Sequence, residues 1–262
     1  MNYKGTTALI TGASVGLGEE FARQLAQQGA DLVLVARSEE KLERLANELR
    51  EGSGVEVTVI PADLSSSDAV KRLVSEVRNR GLKIDLLVNN AGLGVFENFL
   101  ETPLVKQMNQ VDVNVSAVVA LTHAFVSDMI ASHRGGLINI ASTAGFQPLA
   151  GAAVYAASKA FVLFFSEALS LELDKTGVRV LVACPGPVAT QFYANMKPSL
   201  EAKQMDQPRP VVTEILRAFG RRKRVVCPGK ITGRLSTWGG RLMPRNLILR
   251  LAAGTAKKLN QN

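Results

Sequence analysis

Two hydrophobic rhythms alternate along the chain. Short β-branched runs recur at residues 6–11, 31–36, 55–61, 84–89, 136–141, 178–184 and 225–227, and most are apolar at consecutive positions, as in Leu32-Val33-Leu34-Val35. A strand that is apolar on both faces belongs in a sheet covered on both sides. Longer segments of helical period lie between them, at 16–28, 39–49, 67–80, 102–111, 113–132, 154–175 and 212–218. In the segment from Glu39, Leu42, Leu45, Ala46 and Leu49 recur at spacings of three and four with charges between them, a stripe that faces a sheet. The alternation predicts an α/β fold: a doubly wound sheet of seven parallel strands with helices on both faces, joined by right-handed crossovers. The rhythm loosens only after about Pro187, where Pro, Lys and Arg become frequent.

Composition narrows the setting. Of the 262 residues 47% are hydrophobic, yet no stretch of 18 uninterrupted apolar residues occurs, and the start, Met1-Asn2-Tyr3-Lys4-Gly5, lacks the apolar core of a secretion signal. The expectation is a soluble, cytoplasmic protein. Cys184 and Cys227 each close a short apolar run before a Pro-Gly pair, without the spacing of a metal site or a disulfide framework, and read as small core residues. The net charge of +8 is unevenly spread: residues 1–190 carry 16 Lys/Arg against 20 Asp/Glu, whereas 191–262 carry 15 against 3.

The first strand runs into Thr11-Gly12-Ala13-Ser14-Val15-Gly16-Leu17-Gly18 and then a helix. Glycines at such a turn let a pyrophosphate approach the amides of a helix N-terminus, where the dipole favours negative charge. The second strand ends in Ala36-Arg37-Ser38. An acidic residue at that end would hydrogen-bond a ribose 2′-hydroxyl and repel a 2′-phosphate; a guanidinium beside it instead favours the phosphate. The predicted cofactor is therefore NADP(H).

Tyr155-Ala156-Ala157-Ser158-Lys159 opens a predicted helix, and the i, i+4 spacing puts phenol and ammonium on one face. Ser142 ends the fifth strand, and Asn114 lies in the preceding long helix. A phenol with a pKa of about 10 is a poor acid–base group near neutrality; positive charge from Lys159 and from an oxidised nicotinamide is expected to lower it. Tyr155 then serves as general acid for ketone reduction and general base for alcohol oxidation, with Ser142 orienting the substrate oxygen.

These ordered motifs, with Asp63-Leu64, Asn89-Asn90-Ala91-Gly92 and Pro185-Gly186 through Thr190, resemble the short-chain dehydrogenase/reductase family in its typical form, over about residues 5 to 190. The resemblance implies a Rossmann-type fold and a catalytic set of Asn114, Ser142, Tyr155 and Lys159. It implies cofactor contacts from Gly12, Ser14, Gly16, Leu17 and Gly18, from Arg37 and Ser38, and from Asp63 and Leu64 at the adenine. Further contacts are implied from Asn90, Ala91 and Gly92 beneath the cofactor, from Tyr155 and Lys159 at the nicotinamide ribose, and from Pro185, Gly186, Val188 and Thr190 around the nicotinamide. By the same resemblance Asn114 holds a water that relays protons from Lys159, and the chain forms a homo-oligomer, a dimer or tetramer. The basic residue that some NADP-using members carry before the second glycine is absent, since Val15 stands there, so the preference rests mainly on Arg37. His123 and His133 lack useful partners and read as ordinary helix positions; Phe161, Phe164 and Phe165 read as core or subunit interface.

The expected organisation is one domain over 1–262. Its cofactor-binding and catalytic core spans 1–190, a substrate lid and helix 191–224, and a last strand with a basic C-terminal helical extension 225–262. Within the lid, about 191–207, Phe192, Tyr193 and Met196 are the expected pocket residues for a small-molecule carbonyl or alcohol that is at least partly apolar. The tail holds Arg221-Arg222-Lys223-Arg224 and then an apolar stripe of Ile248, Leu251, Ala252, Ala256 and Leu259 opposite Arg250 and Lys257. That stripe suits a helix packed on its own core or a sister subunit, or a peripheral contact with an anionic membrane surface. Nucleic acid is not an expected partner, because the basic cluster lacks aromatic interleaving. The functional reading is an NADP(H)-dependent oxidoreductase on C=O and CH–OH groups, with a non-catalytic NADP(H)-sensing regulator as the alternative.

Overall fold

A computed structural model describes residues 3–194 and 205–230, with the side chains of 193 and 194 left aside. Seven strands, β1 (Thr7–Thr11), β2 (Asp31–Ala36), β3 (Val57–Pro61), β4 (Leu86–Asn89), β5 (Gly135–Ile140), β6 (Val178–Ala183) and β7 (Val225–Val226), form one sheet. Their order is β3-β2-β1-β4-β5-β6-β7, and every pairing is parallel. The order reverses between β1 and β4, the point at which open α/β sheets leave a crevice beyond the carboxyl ends of their strands.

The helices are α1 (Gly16–Gln27), α2 (Glu39–Ser53), α3 (Ser67–Asn79), α4 (Leu104–Val111), α5 (Ala117–Ala131), α6 (Ala153–Glu172), α7 (Gln191–Ala194) and α8 (Pro208–Gly220). The consecutive apolar residues of the strands divide between the two faces. Ile10, Leu32, Leu34 and Val88 pack with residues of α1, α2 and α8, while Leu9, Val33, Val35 and Leu87 pack with residues of α3 and α5. The stripe on α2 is buried at Leu42, Leu45, Ala46 and Leu49, as its period predicts.

The chain departs from expectation in a few places. The two helices expected at 102–111 and 113–132 are one continuous helix, Leu104–Ala131, interrupted by a π-helical turn at Asp112–Ser116 that contains Asn114. Such turns insert one extra residue into the ladder and concentrate at functional sites. His133 lies just past that helix in the left-handed region (φ 50°), not within it. Cys184 is buried beyond β6, whereas Cys227 is half-buried. Helices Leu104–Ala131 and Ala153–Glu172 are long and apolar enough to cross a membrane by length and composition, but each buries nearly half of its apolar stretch in the fold. Within the basic cluster, Arg224 pairs with Asp174 at 2.7 Å. Met196 and the C-terminal stripe lie outside the described residues.

Candidate active site

Thr11 ties the two central strands together at the crevice. Its hydroxyl accepts from the backbone N–H groups of Asn90 and Ala91, each at 3.0 Å, and the Asn90 amide donates to the Thr11 carbonyl at 2.9 Å. The turn that follows explains the Gly-x-x-x-Gly-x-Gly spacing. Gly12 and Gly16 both occupy the left-handed region, and a Cβ on them would press on the Ala91 backbone and the Thr190 side chain. Gly18 is buried behind the turn, where a Cβ would overlap the Gly12 carbonyl. Gly18, for which the resemblance implied a cofactor contact, packs α1 against β1 and does not line the cavity.

The resulting cavity, about 480 Å³, runs along the carboxyl ends of the strands. At one end lie Ser14, Gly16 and Leu17 at the start of α1, whose preceding residue, Val15, supplies no side-chain cap. The free amides of that first turn suit a pyrophosphate. Arg37, Ser38, Asp63 and Leu64 line the next stretch, together with Lys41, one turn beyond Arg37. Asp63 holds its carboxyl below the usual range because it accepts from the Ser65 backbone N–H and hydroxyl, with a further contribution from the Arg37 charge. Asn90, Ala91 and Gly92 form the floor, and Pro185, Gly186, Val188 and Thr190 form a wall near Ser142, Tyr155 and Lys159. Uncapped helix amides, glycines where a Cβ would intrude and facing cations together fit a dinucleotide.

The far end carries the titratable groups. Lys159 is buried and donates to the Ile140 carbonyl at the end of β5, at 2.8 Å; burial pulls its pKa down to about 8. Tyr155, one turn earlier on α6, is also buried and shares a hydrogen bond with Ser142. Burial pushes the phenol up to about 12, and the Ser142 bond only partly offsets this. The site thus acts opposite to the lowering expected from Lys159, because desolvation of the phenolate outweighs the Ser142 bond.

Asn114 stands behind the floor, not in the cavity wall. Its amide accepts from Leu93 N–H, donates to the Leu93 carbonyl, each at 2.8 Å, and donates to the Ser158 hydroxyl at 2.9 Å; Ser158 in turn donates to the Tyr155 carbonyl at 2.8 Å. A Cβ on Gly92 would lie 3.4 Å from Lys159 Nζ and 3.5 Å from Asn114 Oδ1, so the two groups converge beneath that glycine.

Two rings cover the phenol. Phe96, from the loop after β4, has its centroid 5.1 Å from that of Tyr155, and Phe192, on α7, lies 5.8 Å from it. Phe192 was expected in the pocket. Phe96, Lys41, Ser158 and Gln110 were not singled out. Lys41 carries a local signal, a second cation four residues after Arg37, and Ser158 lies within the Tyr155–Lys159 motif; Phe96 and Gln110 meet the site only through long-range contacts.

A family described as "short chain dehydrogenase" matches residues 6–201. The chain belongs to the short-chain dehydrogenase/reductase family. This family member is 31% identical over 261 residues to the very-long-chain 3-oxoacyl-CoA reductase of Mus musculus, covering 97% of the present chain and 81% of the mouse protein. A short-chain dehydrogenase from Sphingobium yanoikuyae, solved in complex with NADPH, superposes with a TM-score of 0.82 at 32% identity, over 94% of this chain and 95% of that one. A 7beta-hydroxysteroid dehydrogenase superposes with a TM-score of 0.86 at 30% identity, over 97% of this chain and 100% of that one. The short-chain dehydrogenase/reductase reading of the sequence, its seven-stranded parallel sheet and its oxidoreductase class stand together with the site geometry.

Proposed function

We propose that this short-chain dehydrogenase/reductase is an NADP(H)-dependent oxidoreductase that interconverts an apolar ketone or aldehyde with the corresponding alcohol. The observation that carries the reading is a single cavity with an uncapped helix N-terminus and two cations, Arg37 and Lys41, at one end and Ser142, Tyr155 and Lys159 at the other. The nicotinamide, when bound, supplies or accepts the hydride. Ser142 and Tyr155 hold the carbonyl oxygen, and the phenol gives up its proton as the oxygen gains charge; in the reverse direction Tyr155 takes it back. Lys159 is fixed by the Ile140 carbonyl at 2.8 Å, one helical turn from Tyr155 on the same cavity wall. Asn114 holds the Leu93 loop against α6 and keeps the floor beside Lys159 in register.

Arg37 and Lys41 are the residues for the 2′-phosphate, since Ala36 and Ser38 offer no carboxylate to repel it. Two relatives, a very-long-chain 3-oxoacyl-CoA reductase and a 7beta-hydroxysteroid dehydrogenase, are named for substrates with a large apolar part, an acyl chain and a steroid, which supports a partly apolar substrate here. The partner reading is a sister subunit: Leu104, Val105 and Met108 on α4 and Phe161, Phe164 and Leu171 on α6 are exposed apolar residues on two helices that pack together.

A panel of ketones and aldehydes followed by NADPH absorbance tests the activity, and the Arg37→Ala and Lys41→Ala double variant tests the cofactor. Loss of charge-assisted bonds to a phosphate should lower the preference for NADPH over NADH in kcat/KM by about 10- to 100-fold. An unchanged ratio would remove the NADP assignment.

A further inference from the structure

The phenol of Tyr155 is covered by rings from two segments far apart in sequence. Phe96 and Phe192 also touch each other edge to face, at 6.4 Å between centroids and 88° between planes, closing a three-ring cluster with Tyr155. The closure depends on Gly94. A Cβ there would come within 2.5 Å of Phe192 and 2.7 Å of Phe96, so any larger residue would drive the two rings apart. The loop that carries Phe96 is held from α4 and the π-helical turn. Gln110, which is fully buried, accepts from the Val95 N–H at 3.0 Å, and Asn114 clamps Leu93 on both its N–H and its carbonyl. Gln107, also buried, accepts from the Gln110 amide at 3.4 Å. Phe96 is therefore fixed one residue beyond a bonded backbone.

A substrate that brings its oxygen to Ser142 and Tyr155 in the cavity lies beside these rings. A substrate that offers apolar, flat surface to the rings gains their contact and removes apolar area from water. A small polar carbonyl makes the same bonds to Ser142 and Tyr155 without that gain. We infer that Phe96, Phe192 and Gly94 are the specificity-determining residues of this enzyme, forming an aromatic clasp over Tyr155 that selects carbonyl compounds bearing a flat aromatic or polycyclic group, with Gln110 as the positioning residue of the clasp.

The inference rests on Tyr155 as the proton donor, and its test separates the two. NADPH-dependent reduction of 2-butanone and of 2-acetylnaphthalene is measured in wild type, Phe96→Ala, Gly94→Ala, Gln110→Leu and Gln110→Glu, with NADPH binding followed alongside. In wild type, kcat/KM should favour 2-acetylnaphthalene by more than about tenfold, since each aromatic contact contributes about three- to tenfold. Phe96→Ala and Gly94→Ala should compress that ratio by about three- to tenfold, through a higher KM for the naphthyl ketone and an equal or higher kcat/KM for 2-butanone. Gln110→Leu should follow them and Gln110→Glu, which keeps an acceptor for the Val95 N–H, should restore the ratio. A general structural defect would instead lower both substrates together, which would overturn the clasp, as would a ratio unchanged by all variants. Failure of wild type to reduce either ketone or any other carbonyl would overturn the reading of the site itself.

Discussion

Tyr3 and Tyr155 are both buried, and burial holds both phenols protonated up to about pH 12. They differ in their partners. Tyr155 has Ser142, whereas the Tyr3 hydroxyl makes no hydrogen bond among the described residues. A buried hydroxyl without a partner costs free energy that its removal returns, so Tyr3→Phe should raise unfolding free energy by about 1 kcal/mol, read by denaturant melts at pH 8. The sign with pH follows from the raised pKa. The unfolded chain loses these protons near pH 10 while the native chain keeps them, so stability present below pH 10 is lost as pH rises towards 12. Each tyrosine accounts for about 2–3 kcal/mol of that loss, and Tyr3→Phe should remove one tyrosine's share of the change between pH 9 and 12. At this scale Tyr155, Lys159 and Ser142 were legible because the chemistry needs those residue types at helical spacing beside a strand end. The phenol's environment was not, because Phe96 and Phe192 reach it from segments 59 and 37 residues away along the sequence.

Among the elements, strands and helices followed the hydrophobic period closely because both faces of the sheet are buried and every segment carries its own stripe. The π-helical turn at Asp112–Ser116 left only a trace: the helical period broke near residue 112, which reads equally as the end of one helix and the start of another. The difference lies in backbone hydrogen bonding, which side-chain pattern does not record. In the phosphate turn the glycine spacing was plain, but the division of labour was not. Gly12 and Gly16 serve the turn and its walls, and Gly18 serves the packing of α1. Gly18→Ala should therefore act on the element as a whole, costing about 1–3 kcal/mol as an overpacked contact and displacing the α1 amides enough to abolish NADPH binding. Thermal melts and a fluorescence titration read the two effects, and a variant with normal Tm and normal NADPH affinity would contradict this role.

At the scale of the whole molecule, the parallel sheet gathers groups from six strand ends along one crevice, and the apolar side chains left over on α4 and α6 mark a second surface. Phe164 is 67% exposed there and Leu104 is 70% exposed, more than a monomer gains from. If that face meets a sister subunit, sedimentation should give an oligomer for the wild type and a monomer for Phe164→Glu; a monomeric wild type would contradict the assembly. The central claim, that Tyr155 moves the proton in a nicotinamide-dependent hydride transfer, has a more direct test. Tyr155→Phe removes one oxygen and preserves the ring packed against Phe96 and Phe192, so NADPH affinity should stay at the wild-type value while turnover of a ketone falls by about 10²- to 10⁴-fold; a Tyr155→Phe enzyme that turns over at the wild-type rate would contradict the account.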